Sequence, residues 1–267
     1  MTRILSEHPR GWRRSHLPVL TGRRPGPVVT LGALGGPAEF ARAAGLMRLG
    51  DARHRATAMT MLHHAMQAIT GALIAPLAVD GVALTIAAHD LGVVLGDEER
   101  PTALWVGGYA SPELLNPAAH VGHQVERLLT PVATCVRQLT GLPHRGVHRV
   151  ISQTLERDCR QLSRAPRGAH PAWFGEFRAA AGLERVRWRT LEVRPDDGPP
   201  VQMDAPGTCC VLIPGGGAGG CPTCPGHPRD RQEHIAATWL SGLDDAAFHE
   251  TAGRPRVDPP MSAPTAA

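Results

Sequence analysis

Apolar residues recur at helical spacing through the first two-thirds of the chain. Met59, Leu62, Met66, Ile69 and Leu73 fall on one stripe, which predicts a helix over 51–75 with Asp51 as its N-cap. Gly71 and Pro76 mark where it should loosen and stop. A shorter helix is expected to open at Pro37, a residue suited to a first turn, and to carry Phe40, Ala44 and Met47. Val121, Val125, Leu128, Val132, Cys135 and Leu139 define a long helical stretch from Pro112 to Leu139, with Pro131 expected to kink or break it. Gly141-Leu142-Pro143 ends that stretch. Val147, Ile151, Leu155, Cys159 and Leu162 then form the stripe of a helix over 147–162. Two helices joined by so short a loop should pack antiparallel. A last short helix is predicted over 171–183.

A second texture lies between and after these helices. Val82–Ile86, Leu91–Leu95 and Leu104–Val106 are short β-compatible runs that predict a small strand region. Residues 186–193 alternate in part, as a half-buried strand does. Residues 1–30 are rich in Arg, Pro and Gly without a period and are expected to be a loose arm. Residues 195–200 look like a linker, 232–243 like one more helix, and the Ala/Pro-rich end from Gly253 like a disordered tail. The expected fold class is mainly α within α+β: a helical body over 31–198 with a small β element, a C-terminal cysteine lobe over 199–230, then a helix and tail over 231–267.

Composition narrows the function classes. At 267 residues the chain can bury a real core. No run approaches 18 consecutive apolar residues, so no transmembrane helix is expected. Arg13-Arg14 is followed by Ser15-His16-Leu17-Pro18 rather than an apolar segment, which argues against a signal peptide, and the cytoplasm is the expected compartment. The net charge is +4 and every basic side chain is Arg, as coding bias of a GC-rich genome produces. A mildly basic surface also suits an acidic redox partner or an anionic ligand. The arginines are scattered and few aromatics interleave with them, so nucleic-acid binding is not expected.

The most specific chemistry is in the cysteines. Six in a chain of this kind do not make a disulfide framework; four are clustered and two stand apart. Cys209-Cys210, ten residues, then Cys221-Pro222-Thr223-Cys224 gives C-C-x10-C-x2-C. Four thiolates so close can close a soft-metal site or hold a two-iron cluster with two thiolates on each iron. Neighbouring side chains on a strand point to opposite faces. Cys209 and Cys210 therefore meet one metal only if the backbone bends, or each binds a different iron. The loop between the pairs ends in Gly215-Gly216-Gly217-Ala218-Gly219-Gly220, which lets backbone N–H groups approach sulfur. It lacks the Gly-Lys-Ser/Thr ending of a phosphate cradle. Structural zinc sites normally use two separated knuckles, and zinc stays open as the alternative metal.

The spacing and the helical body before it resemble the ferric-siderophore reductase family, the FhuF-like proteins. Their C-terminal domain holds a [2Fe–2S] cluster on the same C-C-x10-C-x2-C arrangement. The resemblance is complete over Cys209 to Cys224 and looser over the body, at 53–81 and around Leu128-Leu129-Thr130-Pro131 and Gly141-Leu142-Pro143. Gly146-Val147-His148 stands where the family often has a Trp, and the chain continues past Cys224, from 225 to 267, where members usually end. The resemblance implies a cytoplasmic reductase that passes one electron to Fe(III) held by an imported siderophore, with Cys209, Cys210, Cys221 and Cys224 as cluster ligands. Hydroxamate ligands are one class of substrate. No dinucleotide fingerprint appears, so an external donor is implied, such as a ferredoxin or a flavin reductase. Two other readings remain: an electron-transfer or redox-sensing protein with the same cluster but no siderophore site, and a zinc-stabilised binding module.

Other candidates have plainer readings. His227, three residues after Cys224, could serve as a ligand as in Rieske centres; with four cysteines present, a supporting or surface position is expected. Arg229 and Arg231 could meet an anionic siderophore or a donor protein, or lie on a solvated loop. Cys135 and Cys159 should be core residues. His54, His63 and His64 have no acidic or cysteine partner at helical spacing, so they should be ordinary helix residues. His144, Arg145 and His148 sit at a helix–helix corner, where they could face a ligand. Asp97–Arg100 should be a solvated turn.

Overall fold

The computed structural model describes residues 17–97, 99–162, 170–194, 200–206 and 228–234. These residues fall into two compact units. One runs to Trp188 and takes in Pro206; the other holds Arg189–Ala205 and residues 228–234. The expected boundary at residue 198 lies outside the described residues.

The first unit is the helical body. In chain order it comprises β1 (Val19–Thr21), β2 (Val28–Thr30), a 3-10 turn (Leu31–Leu34), α1 (Pro37–Leu46), α2 (Arg55–Ile69), a π turn (Thr70–Ile74), α3 (Ala75–Asp80), β3 (Leu91–Leu95), β4 (Pro101–Val106), α4 (Pro117–Thr140), α5 (His144–Leu162) and α6 (Phe174–Ala180). The mainly helical α+β class is therefore as expected. The four strands form one mixed sheet in the order β1-β4-β3-β2, with β1 parallel to β4 and the other pairs antiparallel.

Residues 17–30 are not a loose arm. They supply both outer strands: Val19 pairs with Leu104, and Val28 with Val94. Three-residue strands carry no readable period, so their order comes from partners some 65 to 85 positions away. Trp105 helps fix β1, its indole N–H donating to the Gly22 carbonyl at 2.9 Å. Of the three β-compatible runs, Leu91–Leu95 and Leu104–Val106 lie in strands. The run 82–86 contributes only an isolated bridge, Thr85 to Ala110.

Three helix ends differ from the sequence pattern. α4 opens at Pro117 rather than Pro112, with the Asn116 side chain accepting the Ala119 N–H as its N-cap. Asp51 does not cap α2. Its carboxylate accepts the Arg53 N–H at 2.9 Å, closing a turn before the helix, and His54 is the N-cap. Pro76 does not stop the helix either. A proline has no N–H and its ring crowds the carbonyl four residues back. The backbone widens into the π turn just before it, with the Ala75 N–H reaching back five residues to the Thr70 carbonyl. α3 then continues to Gly81, a left-handed cap. Pro131 is likewise carried inside α4, flanked by the buried Leu128, Leu129, Val132 and Val136.

Arg55–Asp80 is, among the described residues, the one stretch long and apolar enough to cross a membrane, and 72% of its most apolar window is buried. It is the central core element, in contact with α4, α5 and β3. Gly71 allows the close approach to the sheet: a Cβ there would lie 2.5 Å from the Leu104 side chain. Gly122 does the same between α4 and α6, where a Cβ would meet the Phe177 carbonyl oxygen at 2.6 Å. Phe40, Met59, Leu62, Leu73, Val121, Leu155, Phe174 and Phe177 fill the core.

In the second unit, β5 (Trp188–Val193, beginning at the unit boundary) pairs with β6 (Val201–Pro206). Residues 229–234 are helical.

Candidate functional site

Cys209, Cys210, Cys221 and Cys224 lie outside the described residues, as does His227. What can be weighed is the donor set. Four thiols within sixteen positions, all soft and all able to ionise on metal binding, suit an iron–sulfur cluster, and they supply the full complement of protein ligands a [2Fe–2S] cluster takes. β6 leads into this segment from its N-terminal side. On the far side Arg229 pairs with Glu233 one helical turn away, at 2.8 Å. The hydrogen bond and charge of Glu233 raise the guanidinium pKa further. Arg231 is exposed.

Among the described residues no group of three His, Cys, Asp or Glu side chains is placed to hold a metal ion. Cys135 and Cys159 are buried free thiols, as expected. Burial pushes both thiols up, and for Cys159 the Asp158 and Glu156 carboxylates push the same way. Both therefore stay protonated and unreactive. His64 is held below the ordinary imidazole range by burial, against the opposing hydrogen bond to Gln67.

The body contains three polar clusters that periodicity did not disclose. The first sits on α5. The buried Glu156 accepts from Arg160 at 3.2 Å and from the Trp188 indole N–H. The Arg160 guanidinium lies over the Trp188 ring at 5.1 Å from its centroid. His170 Nε2 lies 3.2 Å from Arg160 Nη2. The same Nε2 lies 3.5 Å from Glu156 Oε1; Arg160 can donate to a bare Nε2, and Glu156 can accept from a protonated one. Burial first, then the Arg160 charge, lower the His170 pKa, while Glu156 acts the other way. The ring stacks on Phe174, 4.5 Å between centroids.

The second cluster joins α4 to the segment before β3. Gln124 Oε1 accepts the Ile86 N–H at 3.1 Å, and its amide donates to the Leu84 carbonyl. His120 Nε2 lies 2.9 Å from Thr85 Oγ1 and 3.1 Å from Gln124 Nε2. The third joins the π turn to α5: Thr70 Oγ1 donates to the buried Asp158 at 2.9 Å. The signal for these clusters was faint. Ser152 and Glu156 border the apolar stripe of α5 one turn apart, where a solvated helix would not bury a carboxylate.

His144 and His148 stack at the start of α5, their centroids 5.5 Å apart. Glu184 approaches His148 Nδ1 and Arg149 Nε, each at 3.8 Å, and its own N–H donates to Ser152 Oγ at 2.9 Å. The expected helix–helix corner is thus a charged face made by α5 and the chain at 184.

No family model matches this chain, and a search of curated proteins gives no match either.

Proposed function

We propose that this chain is a cytoplasmic ferric-siderophore reductase. The observation that carries the reading is the C-C-x10-C-x2-C arrangement of Cys209, Cys210, Cys221 and Cys224. A helical body of the expected class supports it. The four thiolates would hold the cluster, two to each iron. When bound, a [2Fe–2S] cluster supplies a single electron at a time, and siderophore-bound Fe(III) is the substrate that takes it. Siderophores bind through hard oxygen donors, which hold Fe(III) much better than Fe(II), so reduction releases the metal.

The chain's own groups would have two tasks. The four thiolates would hold the cluster, and a glycine-rich sequence such as Gly215–Gly220 would leave main-chain N–H groups free to donate to sulfur, which raises a cluster's potential.

Anaerobic purification followed by a visible spectrum comes first. A [2Fe–2S] protein is red-brown with charge-transfer bands, and Cys221→Ser should lose or shift them; a colourless zinc protein would end the proposal. The reduced protein is then mixed with ferric hydroxamates and Fe(II) is trapped by a chelator. A rate no higher than that of a ferredoxin control would leave an electron-transfer protein rather than a reductase.

A further inference from the structure

We infer that the face formed by the first two turns of α5 and residues 184–187 is the docking surface for an acidic electron-donor protein of the ferredoxin class. The choice of partner rests on the reductase reading; the surface itself rests on charge and exposure.

α5 opens His144-Arg145-Gly146-Val147-His148-Arg149. Val147 is buried, so the opposite positions carry the charge outward. His144 and Arg145 are exposed, and His148 and Arg149 are half-buried. Glu184 is held beside this turn by its 2.9 Å bond to Ser152 and its contacts with His148 and Arg149. It brings with it Arg185 and Arg187, both exposed. Arg149 meets Glu184 directly, Arg145, Arg185 and Arg187 are exposed on the same two segments, and the Glu126 carboxylate lies near Gly182: four arginines against two glutamates, a local net charge of +2.

Helix stability does not account for this. The first turn of α5 has no acidic residue, and cations at a helix N-terminus oppose the helix dipole. The arrangement instead adds dipole and side-chain charge into one positive field. Such a field attracts an anionic surface, accelerates encounter and orients the partner. Stacked His144 and His148 give the face a flat centre, and the arginines provide donors in forked geometry for carboxylates. On the reductase reading the electron comes from a separate donor, and acidic ferredoxins are one-electron donors whose charge complements this face. In the exchange the reduced ferredoxin gives up one electron and becomes oxidised, and this chain takes that electron.

The test uses the full-length protein and an oxidised, acidic plant-type [2Fe–2S] ferredoxin as probe, with binding followed by calorimetry at low ionic strength. Arg145→Glu/Arg185→Glu should weaken binding about tenfold, and raising salt to about 0.3 M should weaken wild type to a similar degree. The control Arg23→Glu/Arg42→Glu changes net charge equally at exposed positions on other elements and should have a much smaller effect. Should the glutamate variant lose its circular-dichroism signal, Arg145→Gln/Arg185→Gln repeats the measurement with a smaller expected loss. Undetectable binding by wild type, equal losses in both charge-reversed pairs, or a loss seen only toward phosphatidylserine vesicles or duplex DNA would each overturn the proposal. Fe(II) release driven by dithionite bypasses the donor. It should be unchanged in the variants, and its failure in wild type would count against the reductase reading and not against this surface.

Discussion

At the scale of single residues, burial has set the titration of three histidines in the same direction. His64, His120 and His170 are all held below the ordinary imidazole value of 6.5, with desolvation as the largest cause in each. The native state therefore resists protonation that the unfolded chain accepts. Where the unfolded state binds more protons, stability rises with pH. The contribution is complete above about pH 6.5 and declines as pH falls below that value. Tm should accordingly drop between pH 7.5 and 5.5. His64→Gln, which has no imidazole to charge, should drop less over the same interval, because the carboxylates common to both proteins cancel in the comparison. Identical slopes would show that His64 takes up its proton as readily folded as unfolded. None of this was legible in the sequence, where His63-His64 is two adjacent helix histidines; which ring the core covers depends on how α2 is rotated against its neighbours.

The elements were more legible, and the reason is periodic burial. Stripes at 3.6-residue spacing place α1, α2, α4 and α5 to within a few residues, because each helix buries one face along its length. The misses have local causes. Asp51 has the right side chain for a cap but spends it one turn early, on Arg53. Pro76 would end an α-helix, yet a single π turn accommodates it. β1 and β2 are too short to show alternation. The run 82–86 has strand-like composition, but beyond the Thr85–Ala110 bridge two of its main-chain groups are met by a side chain: Gln124 on α4 takes the Ile86 N–H and the Leu84 carbonyl. That substitution of an amide for a strand partner is testable. Ile86 and Leu84 are 1% and 3% exposed, so water cannot replace the lost contacts. Gln124→Ala should cost roughly 3 kcal/mol in urea unfolding, from two buried groups left unpaired at about 1–3 kcal/mol each. The Ile86 amide should exchange faster in the variant. A loss under about 1 kcal/mol would mean the segment finds other partners.

At the scale of the molecule, the described core and the proposed metal chemistry belong to different stretches of the sequence. Among the described residues the main hydrophobic cluster draws its members from 29–183; the four clustered cysteines lie outside the described residues. Small metal-bound modules commonly owe their folding to the metal, because their own core is too small. A body of this length can bury enough apolar surface to fold without that help. The cysteine segment held the most legible candidate chemistry in the sequence because the spacing of candidate ligands is local. The body's polar clusters were the least legible because their partners are distant, 88 positions apart for Thr70 and Asp158. The consequence concerns metal loss. Cys221→Ser/Cys224→Ser should abolish the visible bands while leaving the helical circular-dichroism signal and the body's cooperative thermal transition within a few degrees of wild type. Treatment of wild type with a chelator and oxidant should do the same. If the body instead unfolds when the metal is lost, its core does not stand alone, and the division of labour drawn from the location of the buried residues is wrong.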